Sequence, residues 1–221
     1  PIIPTDRSNA RGGMAGQEAT GDKDIALLAK GGRTNVLGFL LRLAARLPFL
    51  FIAGRMYGAT TLGRFAYAIL IIEFAAQLAT LGLKRGLAQR LSSSDEPPVH
   101  IVWDGLLIAG LASTVAVLLL AAVPEIMFPN SGINGREQLL PLTIYAIAWS
   151  EVALAALAYR HNVTAAVTAR AIVEPWTISI AALAFWFYSP RDGLILSYVV
   201  SMVAALVASI WPLIRMYGMP H

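Results

Sequence analysis

Six apolar runs dominate this chain, at residues 35–54, 65–81, 101–123, 139–159, 166–187 and 194–213. Each is about 17 to 23 residues long, enough to cross a hydrocarbon layer of roughly 30 Å as an α-helix. Inside such a layer no water can satisfy backbone amides and carbonyls, so each run must bond internally, which a helix does. Composition argues against a soluble domain: 57% of the 221 residues are hydrophobic and 14% are charged, where soluble domains carry roughly a quarter charged residues. The expected fold class is therefore all-α, a polytopic membrane protein of six transmembrane helices spanning 31–221, preceded by a flexible, polar tail at 1–30. That tail is too poor in apolar residues to order itself. Met14 within it reads as a start position, and no signal-peptide pattern precedes the first run.

Residue usage removes several chemistries. Cysteine is absent, and with it disulfides, thiolate metal sites and cysteine nucleophiles. His100, His161 and His221 are too far apart in sequence for a zinc-ligand motif, so no metal is expected. The chain contains no glycine-rich phosphate loop and no nucleophile elbow, so neither a cofactor nor enzyme chemistry is expected. The net charge of +4 is read as a topology signal and not as a nucleic-acid footprint.

Lysine and arginine collect on one set of loops. Lys23, Lys30, Arg33, Lys84, Arg85, Arg90, Arg160, Arg170 and Arg215 flank one side, and only Arg55, Arg64, Arg136 and Arg191 flank the other. The positive-inside bias then puts the amino terminus in the cytoplasm, and six crossings return the carboxyl terminus to the same side. Two connections of moderate length, 84–100 and 124–138, are read as loops. Gly54 and Gly58 are read as the turn after the first run. Most of the aromatic residues, among them Tyr57, Trp103, Trp186, Trp211 and Tyr217, are read as interfacial anchors, and the deeper Trp149 and Trp176 as packing residues first.

The most informative residues are charges within the apolar runs. Arg42 and Arg46 are four apart and share a helix face with Asn35 and Gly38. Arg46 lies about 16 Å along the run from Asn35, near mid-membrane, where an arginine costs about 2.5 to 3.5 kcal/mol on insertion scales. Such a residue must face water or an acid. Glu73 and Gln77 form a second polar stripe, and Glu151 and Glu174 are comparably deep. The spacing suggests that Glu73 pairs with an arginine of the first run and that Glu174 pairs with Arg170, one turn away. Glu174-Pro175 predicts a kink or break. Arg42, Arg46, Asn35, Glu73 and Gln77 are thus the candidate cavity residues, with Glu151, Arg170 and Glu174 as coupling groups or structural ion pairs.

The stretch AKGGRTNVLGFLLRLAARLPFLFIAGRMYGATTLGRFAYAILIIEFAAQLATLGLKRGLAQRL, from Ala29 to Leu91, resembles the amino-terminal region of bacterial polysaccharide and oligosaccharide-lipid flippases. These form part of the multidrug/oligosaccharidyl-lipid/polysaccharide exporter superfamily. The likeness is carried by Gly31-Gly32 with Asn35 and Gly38, by the Gly54-Arg55-Met56-Tyr57-Gly58 turn, by Gly63, Phe65 and Tyr67, and by Leu81-Gly82-Leu83 with Gly86-Leu87. It implies one six-helix lobe of a 12–14-helix transporter in the bacterial cytoplasmic membrane, completed by a second lobe. It also implies alternating access and a polyprenyl-pyrophosphate-linked glycan as substrate, with polysaccharide polymerase or export machinery and membrane lipid as further partners. By position, Arg42 and Arg46 would face the cavity, where guanidinium groups could replace the water around a pyrophosphate. Two other readings stand beside it: a cation-coupled multidrug exporter using Glu73 or Glu151, and a membrane enzyme or accessory subunit of envelope glycan assembly.

The absence of cysteine permits single-cysteine topology mapping without background. In intact cells a membrane-impermeant maleimide should label Arg191→Cys and should reach Arg90→Cys only after permeabilisation; the reverse pattern would invert the topology.

Overall fold

The protein is described here from a computed structural model covering residue 40 and residues 44–93, 96–129, 135–160 and 162–219. Every regular element among these residues is helical. Residues 44–52 form the visible part of helix α1, which ends in a π-helical turn at Ala53–Tyr57. It is followed by α2 (Ala59–Ala79), α3 (Leu83–Ser93), α4 (Pro98–Ala122), α5 (Thr143–Tyr159), the short α6 (Val163–Val167), α7 (Glu174–Tyr188) and α8 (Gly193–Tyr217). Five helical stretches are long and apolar enough to cross a membrane: Ala59–Ser93, Pro98–Ala122, Glu137–Tyr159, Thr164–Tyr188 and Gly193–Tyr217. They match the second to sixth expected spans. The start of the first span, with the tail before it, lies outside the described residues apart from residue 40.

Helix α5 is the hub. Its alanines, Ala146, Ala148, Ala153 and Ala156, are buried and allow close approach by α4 and α8, the way helices associate where lipid offers no hydrophobic drive. The buried serines Ser150, Ser197 and Ser209 of α5 and α8 return their hydroxyls to their own helices, as in Ser150 Oγ to the Ile147 carbonyl (2.9 Å) and Ser209 Oγ to the Ala205 carbonyl (2.7 Å), whereas Ser201 donates across to the Glu174 carbonyl at 2.8 Å. They fill space as small residues without leaving a donor unbonded. Large apolar side chains instead point outward from α2 and α4, including Leu78, Leu111, Val115 and Leu118. That pattern inverts a soluble core and suits a hydrocarbon surround.

The expected loop at 84–100 is largely helix. Leu83, Leu87 and Leu91 recur every four residues and seat α3 against α4 and α5, while Lys84, Arg85 and Arg90 remain exposed. The α2–α3 turn uses Gly82 at φ 81°, and the α1–α2 turn uses Gly58 at φ 85°. Both φ values lie in the left-handed region that glycine adopts without a Cβ penalty. The Glu174-Pro175 break takes the form of a π-helical segment, Thr168–Val173, that leads into α7. Proline offers no amide to the carbonyl four residues earlier and its ring crowds it, and the wider turn accommodates both defects.

At the end opposite α3 the helices are fastened by specific contacts. The Arg64 guanidinium meets Glu137 at 2.8 Å and lies over the Phe128 ring at 4.7 Å, and Arg136 meets Asp192 at 3.3 Å. Tyr57 is not an interfacial anchor. It is buried, donates its hydroxyl to the Ala182 carbonyl at 2.6 Å, and meets Trp186 edge-on with ring centroids 5.1 Å apart. Tyr57 lies directly on Gly193, where a Cβ would come within 2.9 Å of its ring carbons. Gly193→Ala should therefore cost about 1–3 kcal/mol, seen as an earlier midpoint in denaturant titration of the purified protein, with little change in helix content.

Candidate functional site

A chain of charges crosses the bundle between α3 and α1. Lys84 of α3 pairs with Glu151 of α5, and Glu151 also accepts from Arg170 in the π segment. Arg170 reaches Glu174 through its other nitrogen at 2.9 Å and donates to Ser150 Oγ at 3.1 Å. Glu174 lies 3.6 Å from Arg46 of α1. The i, i+4 pairing of Arg170 with Glu174 is the one its spacing suggests, but the described arginine of the first span pairs with Glu174 and not with Glu73. Arg42 and Asn35 lie outside the described residues.

The π segment puts Arg170 where two carboxylates from different helices converge. The side chains of Arg170, Glu151 and Glu174 are 17%, 20% and 13% exposed, whereas that of Arg46 is 56% exposed. Three of the five members of the chain are thus committed to one another, and Arg46 at its end leaves more than half of its side chain exposed.

Beside it is a cavity of about 370 Å³, lined by Arg46, Glu73, Gln77, Glu151, Arg170 and Glu174 together with Leu70, Phe74, Ile147, Tyr198 and Met202. The structure thereby brings together every described candidate site residue. Glu73 and Gln77, one turn apart on α2, are exposed there. Glu73 forms no hydrogen bond and no ion pair within 4 Å among the described residues.

A second space of about 310 Å³ adjoins the first and shares Arg46, Leu70, Glu73, Glu174, Tyr198 and Met202 with it. Its own walls are apolar: Phe49, Leu50, Leu62, Phe65, Ala66, Ile69, Pro175 and Ile178. Tyr198 stands where the two meet. It is 3% exposed, and its hydroxyl has no hydrogen-bond partner among the described residues, an arrangement that is costly unless something else occupies the site. Charged and apolar compartments side by side match an amphiphile in shape and polarity.

Two of these participants escape a reading of the sequence. Tyr198 is an ordinary aromatic in an apolar run, and Lys84 reads as a topology charge; only the leucine periodicity of α3 hints that Lys84 is held against the bundle. Trp149 lies elsewhere, donating its indole N–H to the Leu106 carbonyl at 3.0 Å and covering Gly110. Trp176 is half exposed.

Among the described residues the protein is all-helical, with five helical stretches long and apolar enough to cross a membrane and a charged cavity among the helices. No known protein family, curated protein or solved structure matches this chain.

Arg170 is the keystone of the charge chain. Arg170→Ala leaves Glu151 with Lys84 alone and Glu174 with Arg46 alone and should cost about 3–5 kcal/mol. Loss of folded protein on denaturant titration checks this, and the isosteric changes Glu151→Gln and Glu174→Gln should each cost less.

Proposed function

We propose that this chain is a transporter lobe in a bacterial cytoplasmic membrane, with its amino terminus in the cytoplasm, that moves a lipid-linked oligosaccharide or polysaccharide precursor across the bilayer by alternating access. One observation carries the reading: the charged cavity opens onto an apolar compartment, and Arg46, mostly exposed, stands in the wall they share. A pyrophosphate or phosphate head has no place in hydrocarbon unless fixed donors replace its water. Arg46 can supply two parallel N–H donors, and the unpartnered Tyr198 hydroxyl a third. The apolar compartment would take the first part of the polyprenyl tail while the remainder stays in the bilayer. The resemblance from Ala29 to Leu91 to glycan-lipid flippases supports the same reading and implies a second lobe, from further chain or from a second copy, to close the path. Recruitment of polymerase or export machinery belongs to the same proposal.

Glu73 favours a second reading. An acid with no ion pair among the described residues, in a membrane cavity, is a ready site for a proton or a cationic substrate. A cation-coupled multidrug exporter would therefore use Glu73 in preference to Glu151, which Lys84 and Arg170 already hold. A third reading, an envelope-glycan enzyme or its accessory subunit, would draw on loop charges. Glu137 and Asp192 are taken up in ion pairs with Arg64 and Arg136, which favours a fastening role for them.

Reconstituted protein should move a fluorescent polyprenyl-pyrophosphate sugar between leaflets, and Arg46→Ala should slow this about tenfold or more with insertion and abundance unchanged. Wild-type flipping in that variant would refute the assignment. Proton-gradient-driven efflux of a cationic dye, abolished in Glu73→Gln, would select the second reading.

A further inference from the structure

The cavity is charge-balanced. Arg46 and Arg170 line it with Glu73, Glu151 and Glu174, and Lys84, which pairs with Glu151 from outside the lining, brings the charges of these described residues to zero. Within that balance the pairing is uneven. Glu151 and Arg170 are each shared between two partners, and Glu174 is shared between Arg170 and Arg46. Among the described residues two groups remain available to a ligand: the guanidinium of Arg46, and the carboxylate of Glu73, which has no ion pair there. They are of opposite sign, and both border the charged and the apolar compartments.

This arrangement discriminates among ligand heads. A head carrying only negative charge gains Arg46 and the Tyr198 hydroxyl but is set beside Glu73 and Glu174, and it leaves a net charge in a low-dielectric space. A head carrying only positive charge gains Glu73 but meets Arg46. A head bearing both charges satisfies both groups and leaves the sum at zero, which is the least costly occupancy in such a setting.

We propose that the cavity selects a zwitterionic amphiphile: a phosphate-class anion held by Arg46 and Tyr198, an amine held by Glu73, and a prenyl-type tail in the apolar compartment. This rests on the reading of the cavity as a lipid-linked substrate site and narrows the substrate to heads that carry an amine, such as an unacetylated amino sugar or a phosphoethanolamine-decorated glycan. Gln77, one turn from Glu73 and exposed in the same space, adds an amide that can bond to sugar hydroxyls or to the amine.

The test is equilibrium binding of two radiolabelled phosphodiesters that differ only in the amine, farnesyl phosphoethanolamine and farnesyl ethyl phosphate. The full 221-residue chain is held in nanodiscs of phosphatidylglycerol, which contain no competing amine. The amine-bearing probe should bind about tenfold more tightly, the equivalent of one charge-assisted contact. Glu73→Gln, a change of an exposed side chain that the fold should accept, should erase that difference while leaving the ethyl ester's affinity equal or improved. Equal binding of the two probes by the wild-type protein, or a preference that survives Glu73→Gln, would overturn the zwitterion inference. Under either result, loss of ethyl-ester binding in Arg46→Ala still upholds the phosphate site. Absence of binding by both probes would overturn the site reading and this inference together.

Discussion

The ion-pair chain from Lys84 through Glu151, Arg170 and Glu174 to Arg46 is the constraint around which the rest of the structure is arranged. Each of these charges alone would be expensive at membrane depth, and each is tolerable only with its neighbour in place. The chain therefore ties α3, α5, the π segment, α7 and α1 to one another by electrostatics that packing alone would not provide. Small residues on α5 and α8 bring the backbones close enough for the side chains to meet. The π turn before Pro175 then sets Arg170 between carboxylates on two helices. It follows that the proline is part of the site's geometry and not merely a kink in a span.

Hydropathy and spacing carried much of this. Apolar runs of spanning length read directly as helices because lipid leaves the backbone no other choice, and Glu73, Glu151, Arg170 and Glu174 stood out because a charge within such a run must be explained. The pairing of Arg170 with Glu174 follows from a four-residue spacing on one helix. The partner of Arg46 does not, since that depends on how α1 and α7 meet, and local spacing carries no information on contacts between distant spans. The same limit hid Tyr198, whose importance lies in what its hydroxyl lacks. It also made Tyr57 look like an interfacial anchor, when its ring covers Gly193 and its hydroxyl is bonded to α7. Helix α3 was hidden for a different reason. Its low hydropathy disguises it as a loop, although Leu83, Leu87 and Leu91 mark a helix face that lies against the bundle while Arg85 and Arg90 remain outside.

The two ends of the bundle use charge differently. Near the α1–α2 turn, Arg64 with Glu137 and Arg136 with Asp192 join loops to helix ends, and the cations also cover the Phe128 and Tyr188 rings. These are fastenings: each charge finds an opposite charge and a ring, and little is left to bind anything else. Toward α3, the pairs are shared, so that several acids and bases each hold a fraction of a partner's charge. A shared network can exchange one member for a ligand at lower cost than an isolated pair, because the remaining members redistribute around the newcomer.

Glu174 is the hinge of that argument. Arg170 already holds it at 2.9 Å, and Arg46 approaches it only to 3.6 Å from the opposite side. An incoming anion that draws Arg46 away therefore leaves Glu174 still neutralised, whereas in a simple Arg46–Glu174 pair the same displacement would strand a buried carboxylate. By lending Glu174 a second cation, Arg170 makes Arg46 available without exposing the bundle to an unpaired charge. Glu73, which has no such support, is the group in the cavity with the most to gain from a ligand. On the proposed reading, the electrostatics that hold the helices together are separate from those offered to a ligand, and Arg46 is where the two meet.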